Sequence, residues 1–117
     1  MASSDLNQIT QQVVAFRDAR DWKKFHNAKD LAISLALESA EVLERFQWHE
    51  AQAAMDSIEK KQALADELAD VLYWVALLAH EAGIDLGQAI ESKLAKNALK
   101  YPIEKARGSP KKYSELG

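Results

Sequence analysis

The scarcity of glycine and proline most constrains what this chain can fold into. Neither residue occurs before Gly83 in a sequence of 117 residues, and runs that alternate apolar and polar residues are absent. Apolar residues recur instead at the three- and four-residue spacing of helices. The sequence therefore predicts an all-α protein, and this length is enough for one domain with a core of its own.

The apolar spacing predicts four helices, over about residues 5–20, 28–47, 58–82 and 86–100. Leu37 is expected to widen the buried face of the second helix, and Leu68 lies on the apolar stripe of the third. Gly83 suits a left-handed cap and Asp85 can cap the last helix, with Gln88 three residues later. We expect a four-helix-bundle-like protomer over residues 1–102 and a basic tail over 103–117, either disordered or packed on a neighbouring subunit.

Composition excludes several classes of function. With no cysteine, the chain has no disulfide and no thiolate metal site. A net charge of −3 argues against a dedicated nucleic-acid-binding protein, which needs a basic excess. The longest strongly apolar stretch, residues 71–79, is far shorter than the roughly 20 residues of a membrane span. The first residues lack the pattern of a signal peptide, so a cytoplasmic protein without a membrane partner is expected.

Four carboxylates stand out because they share the apolar faces of two helices. At 100° per residue, Glu38 lies within about 60° of Leu31 and Val42. Glu41 follows it by three residues, and Glu67 and Asp70 repeat the same spacing on the third helix. If the two helices face each other, all four carboxyl groups meet, and burying them unpaired would cost several kcal/mol each.

This arrangement predicts a cation among the acids, unless they are protonated. Ligands that are all oxygen favour a hard ion, Mg²⁺ first and Mn²⁺ next, and the missing Glu-x-x-His element argues against a di-iron site. Two other interpretations are open: the acids pair with Lys or Arg across an oligomer interface, or they face solvent. A carboxylate magnesium site leaves positions for substrate phosphates, so phosphate chemistry is the leading inference.

Aromatic and basic residues near these helices have two interpretations each. Trp22 and Trp48 lie in the connections beside the second helix, where they either stack on a nucleobase or close the ends of the bundle. His26 can bind a ligand or cap a helix, and Trp74 is assigned to core packing. On the last helix, one face carries either phosphate-binding groups or an ordinary solvated surface; its residues are Lys93, Asn97 and Tyr101.

With these residues in place, the sequence resembles the all-α nucleoside triphosphate pyrophosphohydrolases of the MazG-like superfamily, and it looks most similar to the dCTP pyrophosphatase subgroup. Glu38-x-x-Glu41 followed by Glu67-x-x-Asp70 is similar to the magnesium motif of that family. Segments on both sides of the motif also match, so the resemblance covers nearly the whole chain. The matching segments are Arg20-Asp21-Trp22, Phe25-His26, Phe46-Gln47-Trp48, Ser92-Lys93, Asn97, Tyr101-Pro102 and residues 112–116.

The resemblance implies hydrolysis of a (deoxy)nucleoside triphosphate, dCTP or a related modified nucleotide, to the monophosphate and pyrophosphate. It implies that the four acids are the catalytic and metal-binding residues. It further implies that Lys93, Asn97 and Tyr101 contact phosphates or sugar, that Trp22, His26 and Trp48 line the base pocket, and that the protein is a homodimer or a homotetramer built from two dimers. A non-enzymatic helical oligomerisation or regulatory module is the alternative, and an enzyme acting on another pyrophosphate-containing metabolite is a third interpretation.

Overall fold

The computed structural model describes residues 5–116. Within them it contains helices and no strand, which confirms the all-α prediction. The α-helices, in chain order, are α1 (Leu6–Ala19), α2 (Ala28–Glu44), α3 (Ile58–Ala82), α4 (Leu86–Lys100) and α5 (Ile103–Ala106). Short 3₁₀ turns lie at Lys23–Phe25, Ala53–Met55 and Tyr113–Glu115.

The helix ends follow from local side-chain chemistry. Asn27 accepts a hydrogen bond from the Asp30 amide, and the Asp30 carboxylate accepts one from the Asn27 amide, so α2 begins in a reciprocal capping box. Gly83 ends α3 in the left-handed conformation at φ 70°, as expected. Asp85 caps α4 by accepting a hydrogen bond from the Gln88 amide at 2.9 Å, also as expected.

The described chain divides into two compact units, residues 5–84 and 85–116. In the first unit, α3 packs against both α1 and α2. Its core consists of Leu31, Ala54, Ala76, Leu77 and Ala79. Because α1 and α2 share the apolar stripe of α3, each of them covers only part of that stripe.

The second unit contains α4, α5 and the 3₁₀ turn at Tyr113–Glu115. None of its described residues is fully buried. The region 103–117 therefore includes helical turns over its described part, and the predicted boundary at residue 102 stays a prediction. Within residues 5–116, no helix combines the length and apolar character that crossing a bilayer requires.

Two residues assigned to the core from their spacing are exposed. Leu37 is 64% exposed and Leu68 is 52% exposed, so the prediction that they lie in the buried face is wrong for the chain taken alone. The physical reason is that α2 packs on α3 along one stripe, and Leu37 and Leu68 lie outside that contact. Apolar surface of this kind is common at subunit interfaces, and the dimer or tetramer stays a prediction.

Candidate active site

The two acidic pairs meet where α2 packs on α3. Glu38, Glu67 and Asp70 each offer a carboxylate oxygen, and the three oxygens lie within 4.8 Å of one another. The i, i+3 spacing places Glu41 and Asp70 one turn along from their partners. The structure thus brings together acids from both helices, but Glu41, the fourth acid of the predicted set, does not belong to this group of three.

The burial of the acids differs from the expectation. Glu38 and Glu67 are half-buried, whereas Glu41 and Asp70 are exposed. The prediction that all four share the interior is therefore wrong for two of them. Since α2 and α3 contact along a narrow stripe, only one residue of each pair faces directly into the contact, and the other lies at its edge.

Two carboxylate oxygens in this cluster lack partners. Among the described residues, Glu38 Oε2 and Glu67 Oε2 are buried side-chain oxygens that accept no hydrogen bond. A buried unsatisfied carboxylate oxygen is costly, more so beside other negative charges. The cluster therefore fits a hard divalent cation, which would satisfy both oxygens at once.

Arg45 is a cation near the cluster that the sequence analysis missed. Its Nη2 donates to Glu67 Oε1 at 3.1 Å, and the side chains are 44% and 15% exposed respectively. Arg45 comes directly after the last residue of α2, and its side chain reaches Glu67 of α3 from there. Charge spacing alone does not find such a pair, because the partners are 22 residues apart.

The carboxyl groups perturb one another's protonation. Hydrogen bonding with Glu67 and Glu38, and their negative charge, raise the pKa of Glu41 to about 7. The hydrogen bond with Glu41 is the larger cause that lowers the pKa of Glu67, and the hydrogen bond from Arg45 lowers it further. Burial raises the pKa of Asp70, and the charges of Glu38 and Glu67 add to this shift. Without a bound cation, the neighbouring acids therefore favour the protonated form of the Glu41 carboxyl.

These shifts predict how the stability of the metal-free protein depends on pH. The Glu41 carboxyl titrates near 4.5 in the unfolded chain and at about 7 in the folded protein. The folded state therefore binds more protons in this window, and the free energy of unfolding falls as pH rises through it. Asp70 contributes in the same direction and Glu67 in the opposite one.

In thermal unfolding with a chelator present, we expect Glu41→Gln to raise the Tm at about pH 8 relative to wild type and to have little effect at about pH 5. Glu81→Gln, a charge-matched change at an exposed position of α3, should leave the pH dependence as it is. A Glu41→Gln variant with the same effect on Tm at both pH values would contradict the raised pKa of Glu41.

A cavity of about 700 Å³ adjoins the acidic cluster, and it lies entirely within the first unit. Glu38 and Asp70 belong to both the cluster and the cavity wall. The rest of the wall is mainly aromatic and apolar. Its residues are Gln12, Val13, Phe16, Arg17, Trp22, Phe25, His26, Tyr73, Trp74 and Leu77.

Edge-to-face ring contacts hold the aromatic wall together. Trp74 contacts His26 at 5.7 Å and Tyr73 at 5.0 Å between ring centroids, and Phe16 contacts Trp22 at 5.9 Å. The assignment of Trp74 to core packing therefore needs correction, because its ring lines the cavity. Helical periodicity places Trp74 on the inner side of α3, but it cannot distinguish a filled interior from an open one.

The chain reversal after α1 brings Trp22 to this wall. Asp21 adopts a left-handed conformation at φ 55°, which aspartate tolerates better than most residues. The amide of Trp22 then donates to the carbonyl oxygen of Arg17 at 3.2 Å. The short connection predicted between the first two helices is thus an ordered turn that delivers Trp22 and His26 to the cavity.

Other predicted site residues lie elsewhere. Trp48 is 84% exposed and is not part of the cavity wall. Lys93 and Asn97 share one face of α4 in the second unit, and Tyr101 ends that helix, its amide donating to the carbonyl oxygen of Asn97 at 2.8 Å. The Tyr101 ring contacts Tyr113 at 6.1 Å within the same unit. Their assignment to substrate contacts stays a prediction.

Sequence reasoning missed several residues of the cavity wall. Phe16 lies on α1 and Tyr73 on α3, each among other apolar residues, and Phe25 lies in the connection after α1. Arg17 gave no signal, because an arginine near a helix C-terminus is ordinary.

An all-α fold with paired acids beside an aromatic cavity defines a class of helical protein with an acidic site, and comparison with known proteins specifies it further. The sequence model of the MazG-like family matches residues 33–116. This chain belongs to the MazG-like family.

Relatives named as pyrophosphatases match over most of the chain. It is 36% identical to dCTP pyrophosphatase 1 of Rattus norvegicus over 114 residues, which is 95% of this chain and 67% of the relative. It is 37% identical to dCTP pyrophosphatase 1 of Homo sapiens, with the same coverage. Among solved structures, a pyrophosphatase from Archaeoglobus fulgidus aligns with a TM-score of 0.73 and 35% identity, over 87% of this chain and 96% of that one.

Proposed function

We propose that this protein is a nucleoside triphosphate pyrophosphohydrolase that converts a (deoxy)nucleoside triphosphate to the monophosphate and pyrophosphate. dCTP or a related modified deoxynucleotide is the favoured substrate, in line with the relatives named dCTP pyrophosphatase 1. The observation that carries the proposal is a carboxylate cluster placed at the wall of an aromatic cavity within one unit.

The cavity suits a nucleotide in size and in chemistry. A volume of about 700 Å³ lies within the range of small-molecule sites, roughly 300–1,000 Å³. Aromatic rings such as Trp22 and Trp74 present flat surfaces on which a base can stack. The acids lie at one part of the wall, where the phosphates would bind. The aromatic rings lie elsewhere on the wall, where the base would bind.

The cofactor of this proposal is Mg²⁺, with Mn²⁺ as a substitute, held by Glu38, Glu41, Glu67 and Asp70. When bound, the ion supplies charge stabilisation for the phosphate oxygens and lowers the pKa of coordinated water. The two unpartnered oxygens, Glu38 Oε2 and Glu67 Oε2, support this ligand set. Glu41 and Asp70, more exposed, remain accessible from the solvent side of the cluster.

In the proposed reaction, a bond forms between the water oxygen and the α-phosphorus. At the same time, the bond breaks between the α-phosphorus and the oxygen that joins it to the β-phosphorus. Pyrophosphate leaves with that oxygen, and a carboxylate of the cluster accepts the proton of the water. His26 and Trp22 orient the base against the rings of the wall. The half-buried Glu38 belongs to both the acidic cluster and the cavity wall, so it lies between the proposed places for the phosphates and for the base.

The remaining proposed contacts concern α4 and a second subunit. Lys93, Asn97 and Tyr101 would contact phosphates or sugar, and Trp48 would help line the base pocket. We further propose a homodimer or homotetramer, supported by exposed apolar side chains such as Leu37, Leu94 and Leu99, and a cytoplasmic location, where nucleotide pools are maintained.

A nucleotide panel tests the proposed function. Purified protein is incubated with the four common deoxynucleoside triphosphates, their ribose counterparts and Mg²⁺, and products are separated by anion-exchange chromatography. We expect monophosphate and pyrophosphate in equal amounts, fastest from dCTP. Orthophosphate as the released product would contradict cleavage at the α–β bond, and absence of turnover on every nucleotide would remove the enzymatic assignment.

A further inference from the structure

Arg17 is the one buried charged residue among residues 5–116. It lies on α1, its side chain is 4% exposed, and it forms part of the wall of the aromatic cavity. A buried guanidinium is retained only where its hydrogen bonds are worth the loss of hydration. Its position beside a cavity, away from the ordinary surface, therefore points to a ligand contact.

The partner of Arg17 occupies only one edge of the guanidinium. Asp18 Oδ1 accepts from Nε at 3.0 Å and lies 2.9 Å from Nη2. A guanidinium has five N–H donors in a planar fork. Asp18 faces the edge formed by Nε and one hydrogen of Nη2, so the edge formed by Nη1 and the other hydrogen of Nη2 is not engaged by Asp18. Asp18 holds the plane of the group in place and leaves a donor pair pointing the other way.

Arg17 belongs with the aromatic part of the wall. It lines the cavity together with Tyr73, which lies one helical turn after Asp70 on α3. Phe16, its neighbour in sequence, contacts the Tyr73 ring at 6.2 Å. If phosphates take the acidic part, as the proposed function requires, the base is the portion of the substrate that reaches Arg17.

We propose that Arg17 is a specificity-determining residue that recognises the base through two adjacent hydrogen-bond acceptors, N3 and O2 of cytosine. A guanidinium fork matches two neighbouring acceptors, as in the bidentate pairing of arginine with guanine O6 and N7. Uracil and thymine place an N–H between their carbonyl oxygens, so they oppose a donor to the fork. This inference rests on the proposed function and adds the residue that selects the base.

The test compares bases in Arg17→Met, which keeps the side-chain volume and removes the donors. We expect kcat/KM for dCTP to fall about 10- to 100-fold, the usual effect of losing hydrogen bonds from a charged group. The value for dTTP should change less than about 3-fold, and so should that for deoxyribose triphosphate without a base. Equal losses on dCTP and the base-free compound would overturn the proposal, because Arg17 would then act on the fold or the phosphates.

Two further variants keep the result interpretable. Arg17→Lys retains the charge and loses the planar fork, so it should keep the wild-type Tm and still lose the preference for dCTP over dTTP. Lys61→Met removes a positive charge at an exposed position of α3 and should leave that preference unchanged. Full retention of the preference in Arg17→Lys would overturn recognition by the fork.

A binding measurement separates this proposal from the enzymatic one. Titration calorimetry with dCMP and dTMP needs no turnover, and wild type should bind dCMP more tightly by about 10-fold or more, with the difference lost in Arg17→Met. If wild type bound dCMP selectively without hydrolysing dCTP, only the proposed reaction would fail. Equal binding of dCMP and dTMP by wild type would overturn the role of Arg17 whatever the activity.

Discussion

Glu38→Gln is expected to lower kcat/KM for the preferred nucleotide by at least about 100-fold. Even groups that only support a metal ligand cost 10- to 100-fold when removed, and an amide is a much weaker ligand than a carboxylate for a hard cation. Glu38 also lines the cavity, so its loss affects the site where phosphates would lie. The measurement is initial rate against nucleotide concentration at saturating Mg²⁺.

The same variant should fold at least as well as wild type when no metal is present. Glu38 Oε2 is buried and unpartnered, and the charge of Glu38 opposes ionisation of Glu41 and Asp70. Removing that charge relieves repulsion, so the Tm in chelator should stay the same or rise. Glu81→Gln, at an exposed position on α3, serves as the matched control and should keep wild-type kinetics. Wild-type rates in Glu38→Gln would show that this ligand set is wrong.

Magnesium alone is expected to raise the Tm of the wild-type protein by on the order of 10 °C. A ligand present at 100 times its Kd stabilises the folded state by about 2.7 kcal/mol if it binds only that state. For a domain of this size each kcal/mol shifts the Tm by several degrees. The measurement is thermal unfolding in chelator and at increasing Mg²⁺, without nucleotide, so that the metal effect is separated from substrate binding.

The controls for this shift use the cluster itself. Glu38→Gln should lose most of the stabilisation by Mg²⁺, because one ligand and one negative charge are gone. Substituting K⁺ at equal ionic strength should leave the Tm nearly unchanged, since screening acts on all exposed charges alike. A Tm that does not respond to Mg²⁺ in wild type, with or without nucleotide, would favour the non-enzymatic interpretation of the acids.

The acidic pairs show how far a one-dimensional pattern can locate a site. Spacing along a helix fixes which residues share a side, so the meeting of Glu38 with Glu67 was predictable once α2 and α3 were assumed to face each other. The depth of each carboxylate was not predictable, and Glu41 and Asp70 prove to be exposed. Depth depends on how closely two helices approach, and the side chains of both decide that together.

Helix caps depend on residues only a few positions apart, so they could be predicted from the sequence. The left-handed cap at Gly83 and the cap at Asp85 follow from interactions within one or two turns, whereas α2 ends at Glu44, three residues before its predicted end at residue 47. The all-α class and the family resemblance rest on the same near-neighbour information, repeated over most of the sequence.

The packing of α1 and α2 on α3 decided everything that depends on distance in space. It turned Trp74 from an expected core residue into part of a cavity wall, brought Arg45 to Glu67 across 22 positions, and buried Arg17 beside aromatic rings. Helical periodicity shows in which direction a side chain points from its own helix, but it does not show which group packs opposite that side chain. Whether an inward side chain meets a filled core, a cavity or a charge is set only when the helices come together.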